Sequence, residues 1–306
     1  MDKILSVVIP VFNEEQVITV CLKNIINILN EYEIPFDIIV VDDGSKDNTL
    51  AKIIELSYNH ISIIRLSRNF GKEGAIFAGL DNAKGECIVV MDCDMQHPPA
   101  LLPTMYLMWY NKGCEIVEAV KKYPHNQKGR TLENLFYRIF NKISGIEISN
   151  KSDFILMDRK VLECIKKMPE RQTFFRAMAT WVGFKRERLY FTPPKRQDGK
   201  GKWSKYKLCK LAVSGITAFS AVPLYFINIF GGIFLLFAFI MFVQTLYMKF
   251  SGKAVEGFTT VILILLIACS VILLSIGVLG VYMSKIYEEL KHRPRYIIAE
   301  KIDFSE

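Results

Sequence analysis

Cys87-Ile88-Val89-Val90-Met91-Asp92-Cys93-Asp94-Met95-Gln96 is the stretch on which the fold turns. A short apolar run rich in β-branched side chains leads straight into two carboxylates one residue apart, which is how a buried strand with a polar end reads. The pattern recurs three times upstream. Residues 4–9, ended by Pro10, lead to Phe12-Asn13-Glu14; residues 36–41 lead to Asp42-Asp43-Gly44-Ser45; residues 61–66 lead to Arg68-Asn69-Phe70-Gly71-Lys72. Between these runs lie helical stretches. Ile18, Leu22, Ile25, Ile26 and Leu29 recur at helical spacing within residues 14–30, and a second helix is expected over residues 73–83. Strands alternating with helices predict an α/β domain with a mostly parallel, Rossmann-like sheet covered on both faces. Ligands of such open sheets bind at the carboxyl ends of the strands, and all four polar clusters fall on that edge.

The chemistry of each cluster follows from its residue types. Asp92 and Asp94 suit an octahedral, oxygen-seeking cation, Mg²⁺ or Mn²⁺, which keeps substrate phosphates as co-ligands; Gln96 can add a carbonyl oxygen. An acidic turn is the plainer alternative. In Asp42-Asp43-Gly44-Ser45, Ser45 or Asp43 is expected to cap a helix starting near Lys46. Asp42, still on the strand, is better placed to accept hydrogen bonds from a base or ribose. Glu14 is either a ligand or an acid complementing a helix dipole. His97 reads as a loop residue beside the acidic pair.

The 306 residues carry a net charge of +8 and are 51% hydrophobic, with a mean hydropathy of +0.23. The apolar excess lies after residue 211: no charged residue occurs over 211–248 or 257–284. Residues 223–248 and 258–283 are each long enough to cross a hydrocarbon core of ~30 Å. An amphipathic segment at 206–222 is expected to lie at the interface. The expected layout is a domain over 1–205, that segment, a two-helix hairpin over 223–284 and a basic tail over 285–306. Basic residues flank the spans at 195–210 and 285–295, so the positive-inside rule puts domain and tail on the cytoplasmic side of the cell membrane. That placement of charge also points to a membrane surface rather than nucleic acid. Seven scattered cysteines without a C-x-x-C pair, and no expected secretory signal, fit reduced thiols.

Taken together, Val8-Ile9-Pro10-Val11-Phe12-Asn13-Glu14-Glu15, Val41-Asp42-Asp43-Gly44-Ser45, Arg68-Asn69-Phe70-Gly71-Lys72, Asp92-Cys93-Asp94-Met95-Gln96-His97-Pro98-Pro99, Ser152-Asp153-Phe154 and Trp181-Val182-Gly183-Phe184 make the chain resemble the inverting GT-A glycosyltransferases. The resemblance is specifically to the polyprenyl-phosphate glycosyltransferases, such as dolichol-phosphate mannose synthase and bacterial undecaprenyl-phosphate glucosyltransferases. It implies that Pro10, Phe12, Glu14 and Asp42 hold the nucleoside, with Asn69, Lys72 and Cys93 nearby. Asp92, Asp94 and Gln96 would bind the metal on the diphosphate, Asp94 thereby serving catalysis. Asp153 would be a candidate base or an orienting group. Lys121, Arg196 and Lys202 would meet the acceptor phosphate, in a basic loop that includes Gly199 and Trp203. The implied partners are a UDP- or GDP-hexose, best matched by UDP-glucose, and undecaprenyl phosphate in the membrane; a homo-oligomer is compatible. Three positions depart from the family pattern: Ile155 and Lys121 stand where Arg is usual, and Gly201 where Ser is usual. A processive polysaccharide synthase would carry Q-x-x-R-W, whereas Gln172 is followed by Thr-Phe-Phe-Arg-Ala. A catalytically inactive membrane-anchored scaffold is the remaining alternative.

Overall fold

β1 (Leu5–Val11) is buried at every position, as a strand must be when helices cover both faces of its sheet. In the computed structural model it pairs in parallel with β2 (Phe36–Asp42) on one side and β4 (Cys87–Val90) on the other, and β3 (Ile61–Leu66) extends the parallel set beyond β2. The structure describes residues 3–94, 96–122, 151–168, 170, 174–192, 222–251 and 257–304. Arg196 and Lys202, with Gly199, Gly201 and Trp203, lie outside the described residues, as does the amphipathic segment apart from residue 222.

Alternation along β1 sends its side chains to two cores. Val7, Ile9 and Val11 pack on one face with α1 (Ile18–Glu31), whose Ile18, Leu22, Ile25 and Leu29 are fully buried. Val8 faces the other way, with Val41 and Val90, against α3 (Lys72–Asn82). Each fully buried aliphatic side chain contributes about 1.5–3 kcal/mol. Among the described residues the other helices beside this sheet are α2 (Thr49–Leu56), α4 (Leu102–Lys112) after a 3₁₀ turn at Pro99–Leu101, α5 (Arg159–Lys166) and α6 (Phe175–Trp181).

Pro10 does not end the first strand; it pairs with Val41 inside it. The reason is geometric. The Val8 carbonyl accepts from Met91 N on the β4 side, and residue 10 faces the same way by the period-two alternation of a strand. β4 stops at Val90, so the missing N–H of proline removes no ladder bond.

The sheet has eight strands in the order β7-β5-β6-β4-β1-β2-β3-β8, adding β5 (Ile116–Lys121), β6 (Lys151–Asp158), β7 (Arg186–Phe191) and β8 (Ile298–Asp303). β6 runs antiparallel to β4 and β5, and β8 antiparallel to β3, so only part of the sheet is parallel. Val90 pairs with Ile155; the next two steps bring the start of β6, with Asp153, level with Asp92.

β8 also corrects the expected basic tail. From Arg293 onward the chain belongs to the same compact unit as β1. Arg295 donates to the carbonyls of Met168 (2.6 Å) and Glu170 (2.7 Å), and Tyr296 Oη to Asp81 Oδ2 (2.7 Å). Ile298 and Ile302 pack on the two cores while Glu300, Lys301 and Asp303 intervene, a charged edge strand that composition alone reads as tail.

The second unit contains α7 (Val222–Phe250) and α8 (Phe258–Leu290). Their stretches Ile229–Met248 and Ile267–Leu290 are long and apolar enough to cross a membrane. Leu235, Leu236, Phe239, Leu273 and Leu274 are exposed. An apolar surface of this kind needs a non-aqueous neighbour.

Candidate active site

The loops leaving β1, β2 and β3 are stitched into one wall. Asn13 N donates to Ser45 Oγ (3.0 Å), and Lys46 N to Asn13 Oδ1 (2.9 Å). Phe70 N and Gly71 N donate to Asp43 Oδ1 (2.7 Å) and Oδ2 (2.9 Å). Gly44 makes the approach feasible: it sits at φ +72°, and a Cβ there would stand 2.9 Å from the Arg68 carbonyl carbon. Neither Ser45 nor Asp43 caps a helix, because α2 begins only at Thr49. Asp43 instead shapes the loop before α3.

Asp42 is fully buried, accepts from Ser45 N through Oδ1 (2.9 Å), and has Arg65 Nε 4.0 Å from Oδ2. No hydrogen-bond donor reaches Oδ2. An unsatisfied buried carboxylate oxygen is costly, and such atoms concentrate where a ligand completes the bonding.

A cavity of about 410 Å³ opens at these strand ends. Pro10, Phe12, Glu14, Asn69, Lys72, Asp92, Cys93 and Asp94 line it; Asp43 lines it and Asp42 does not. Phe12 and Asn69 also line a cavity of about 570 Å³ with Lys46, Arg65, Arg68 and Ala299. An acidic recess and a basic one therefore share two residues.

The acidic recess is only partly compensated: Glu14, Asp43, Asp92 and Asp94 line it with Lys72. Burial pushes the Glu14 carboxyl up, and the charges of Asp94, Asp92 and Asp47 push it further. Among the described residues no three His, Cys, Asp or Glu side chains are grouped closely enough to hold a metal ion alone. The donor set is two aspartates and, through Gln96, an amide. Gln96 Oε1 accepts from Lys121 Nζ (3.1 Å), so the amide and the expected acceptor-side lysine meet at this edge. Two carboxylates with excess negative charge fit a hard divalent cation that takes further oxygens from its substrate.

His97 has a positioning role. It is buried against Phe154 (ring centroids 5.2 Å), and its Nδ1 accepts from the Asp92 backbone N–H (2.9 Å). Burial lowers its pKa to about 4, so the ring is neutral and the acceptor role is available.

Asp153 lies in a contrasting setting. Arg176 grips it through two nitrogens, Nε to Oδ1 and Nη2 to Oδ2 (2.9 Å for the second). Lys72 Nζ stands 2.6 Å from Asp153 Oδ2 and 2.5 Å from Asp92 Oδ1. Burial pushes the Asp153 carboxyl up, but Arg176 and Lys72 outweigh it and hold the group well below the usual carboxylate range. Glu73 accepts from Phe175 N (2.8 Å), tying α3 to the start of α6. Burial and the nearby Asp153 raise its pKa to about 7. The sequence offered Arg176 only inside Gln172-Thr-Phe-Phe-Arg-Ala, where a failed signature drew attention away from it. Ile155, where Arg was usual in the resemblance, is fully buried in β6.

Residues 6–166 match the family model described as glycosyl transferase family 2. The chain belongs to this family. An uncharacterized glycosyltransferase of Synechocystis sp. is 36% identical over 308 residues, covering 97% of this chain and 95% of its own. The bactoprenol glucosyl transferase of Shigella phage SfV is 39% identical over 306 residues, covering 96% of this chain and 97% of its own. Among solved structures, glucosyl-3-phosphoglycerate synthase from Mycobacterium tuberculosis, in complex with Mn²⁺, UDP and phosphoglyceric acid, matches with a TM-score of 0.53. That match has 16% identity and covers 71% of this chain and 77% of the other, so it bears out the GT-A fold and nothing finer. The resemblance to polyprenyl-phosphate glycosyltransferases is likewise borne out by these relatives.

Proposed function

We propose that this family 2 glycosyltransferase moves glucose from UDP-glucose to undecaprenyl phosphate at the cytoplasmic face of the cell membrane, with inversion. The product would be a lipid-linked monosaccharide for cell-envelope glycosylation. The single observation that carries the proposal is the full-length relationship, at 39% identity, to a protein named bactoprenol glucosyl transferase. The acidic strand-end cavity supports it.

Donor binding is assigned to the two joined recesses. Phe12 and Asn69 suit a nucleoside, and Arg65 and Arg68 supply positive charge beside it; Asp42 lines neither recess and would act from behind their wall through Ser45 and Arg65. Asp92 and Asp94, with Gln96, would hold Mg²⁺ or Mn²⁺. A divalent ion bound there neutralises charge on a departing diphosphate. A structural neighbour of the same fold was solved with Mn²⁺ and UDP bound.

On the acceptor side, Lys121 with Arg196 and Lys202 are the proposed contacts for the lipid phosphate. A phosphate monoester, with a second pKa of about 6, is already largely ionised at neutral pH and needs little help from a base. Both oxygens of Asp153 are engaged by cations, which supports an orienting role over proton abstraction. The apolar hairpin supports a site at the membrane surface, since a long isoprenoid does not leave the bilayer.

The test is incorporation of labelled sugar into the organic phase by the purified protein with undecaprenyl phosphate. UDP-glucose should be the best of a panel of UDP- and GDP-sugars. No lipid-linked label with any donor would refute catalysis, and a strong preference for another sugar would refute the donor assignment.

A further inference from the structure

Lys72 joins two carboxylates that differ in what they would lose without it. It is the first residue of α3, and its ammonium bridges Asp92 Oδ1 (2.5 Å) and Asp153 Oδ2 (2.6 Å). Asp153 would still hold the two-nitrogen grip of Arg176. Among the described residues Asp92 has no comparable second cation: His97 Nδ1 is 3.8 Å from Oδ2 and accepts the Asp92 N–H. The Lys72 side chain is 41% exposed and lines the acidic recess. A flexible four-carbon stem lets an ammonium shift between neighbouring oxygens.

We propose that Lys72 is an exchangeable counter-ion of Asp92, holding that carboxylate until a divalent cation takes its place and competing with the cation for it. The proposal rests on the metal assignment above and says how the apo site is kept tolerable. An ammonium 2.5 Å from Asp92 Oδ1 repels any cation that approaches the same oxygen. Exchange therefore requires Lys72 to let go, and Arg176 keeps Asp153 compensated while it does. The released ammonium stays on the wall of the recess, where a donor diphosphate would lie.

The experiment is Mn²⁺ binding to the full-length protein in detergent, without nucleotide, followed by loss of the free-ion EPR signal. Lys72→Met should bind Mn²⁺ about tenfold more tightly than wild type, because a like charge has been removed from the site. Lys72→Arg, which retains the charge, should bind no more tightly than wild type. Equal or weaker binding by Lys72→Met overturns the exchange while leaving the metal site standing. No Mn²⁺ binding by any of the three proteins overturns both. Should Lys72→Met fail to fold, acylation of Lys72 in the wild type, read by mass spectrometry, serves instead. Added Mg²⁺ should speed that reaction by freeing the amine, and an unchanged rate overturns the proposal.

Discussion

Glu14, Asp92 and Asp94 crowd the ends of β1 and β4, whereas Asp153 lies near the start of β6, and the two settings treat a carboxylate in opposite ways. In the first, burial and neighbouring acids push Glu14 up. In the second, Arg176 and Lys72 overcome burial and hold Asp153 down. The first region thus stores negative charge that a cation or positively charged ligand can relieve. The second is already neutralised by the chain itself, and its carboxylate is poorly suited to collecting a proton. Lys72 is the contact between them.

Breaking the less compensated side should have the larger effect. Asp94→Ala should lower glucosyl transfer by on the order of 10³-fold, the scale seen when a group stabilising transition-state charge is removed. The melting temperature should not fall, since the substitution relieves repulsion; initial rates and thermal unfolding check both. On the compensated side, Arg176→Met should destabilise the fold by about 3 kcal/mol, because it leaves Asp153 buried with Lys72 alone. Asp153 has a depressed folded pKa, so its stabilisation is present above the unfolded value and is lost as pH falls through the folded one. Arg176→Met should therefore move acid unfolding to higher pH, as circular dichroism across an acid titration can show.

Asp153→Asn sharpens the contrast further. An orienting carboxylate predicts a loss smaller than the roughly 10²-fold typical of a missing general base, with the pH–rate profile unchanged in shape. A larger loss, with a vanished acidic limb, would restore the base role. The smallest effect concerns Glu73. Its folded pKa of about 7 lies above the ordinary 4.5, so its contribution is full below 4.5 and is lost as pH rises through about 7. Glu73→Gln should flatten that decline by about 1 kcal/mol, after allowance for its partial exposure. Melting temperatures on either side of neutrality measure it.

The same contrast explains what could be read before any coordinates. The parallel strands β1 to β4 were legible because each is a mostly apolar, β-branched run, with its polar cluster at or just after its end. Asp92 and Asp94 were therefore recognisable as a candidate site at a strand end. Asp153 and Arg176 are brought together by an antiparallel strand and a seven-residue helix, so no local spacing records their contact. β8 escaped for another reason: its alternation is diluted by edge charges, and its partner β3 lies more than two hundred residues earlier. Asp42 was placed correctly on its strand, but its open Oδ2 is a property of packing.

Titration of UDP into the wild-type protein and Asp94→Asn, each with and without Mn²⁺, tests the acidic recess most directly. UDP should bind wild type tightly only when Mn²⁺ is present, and Asp94→Asn should lose that dependence. Metal-independent UDP binding that is equal in the two proteins would contradict the account.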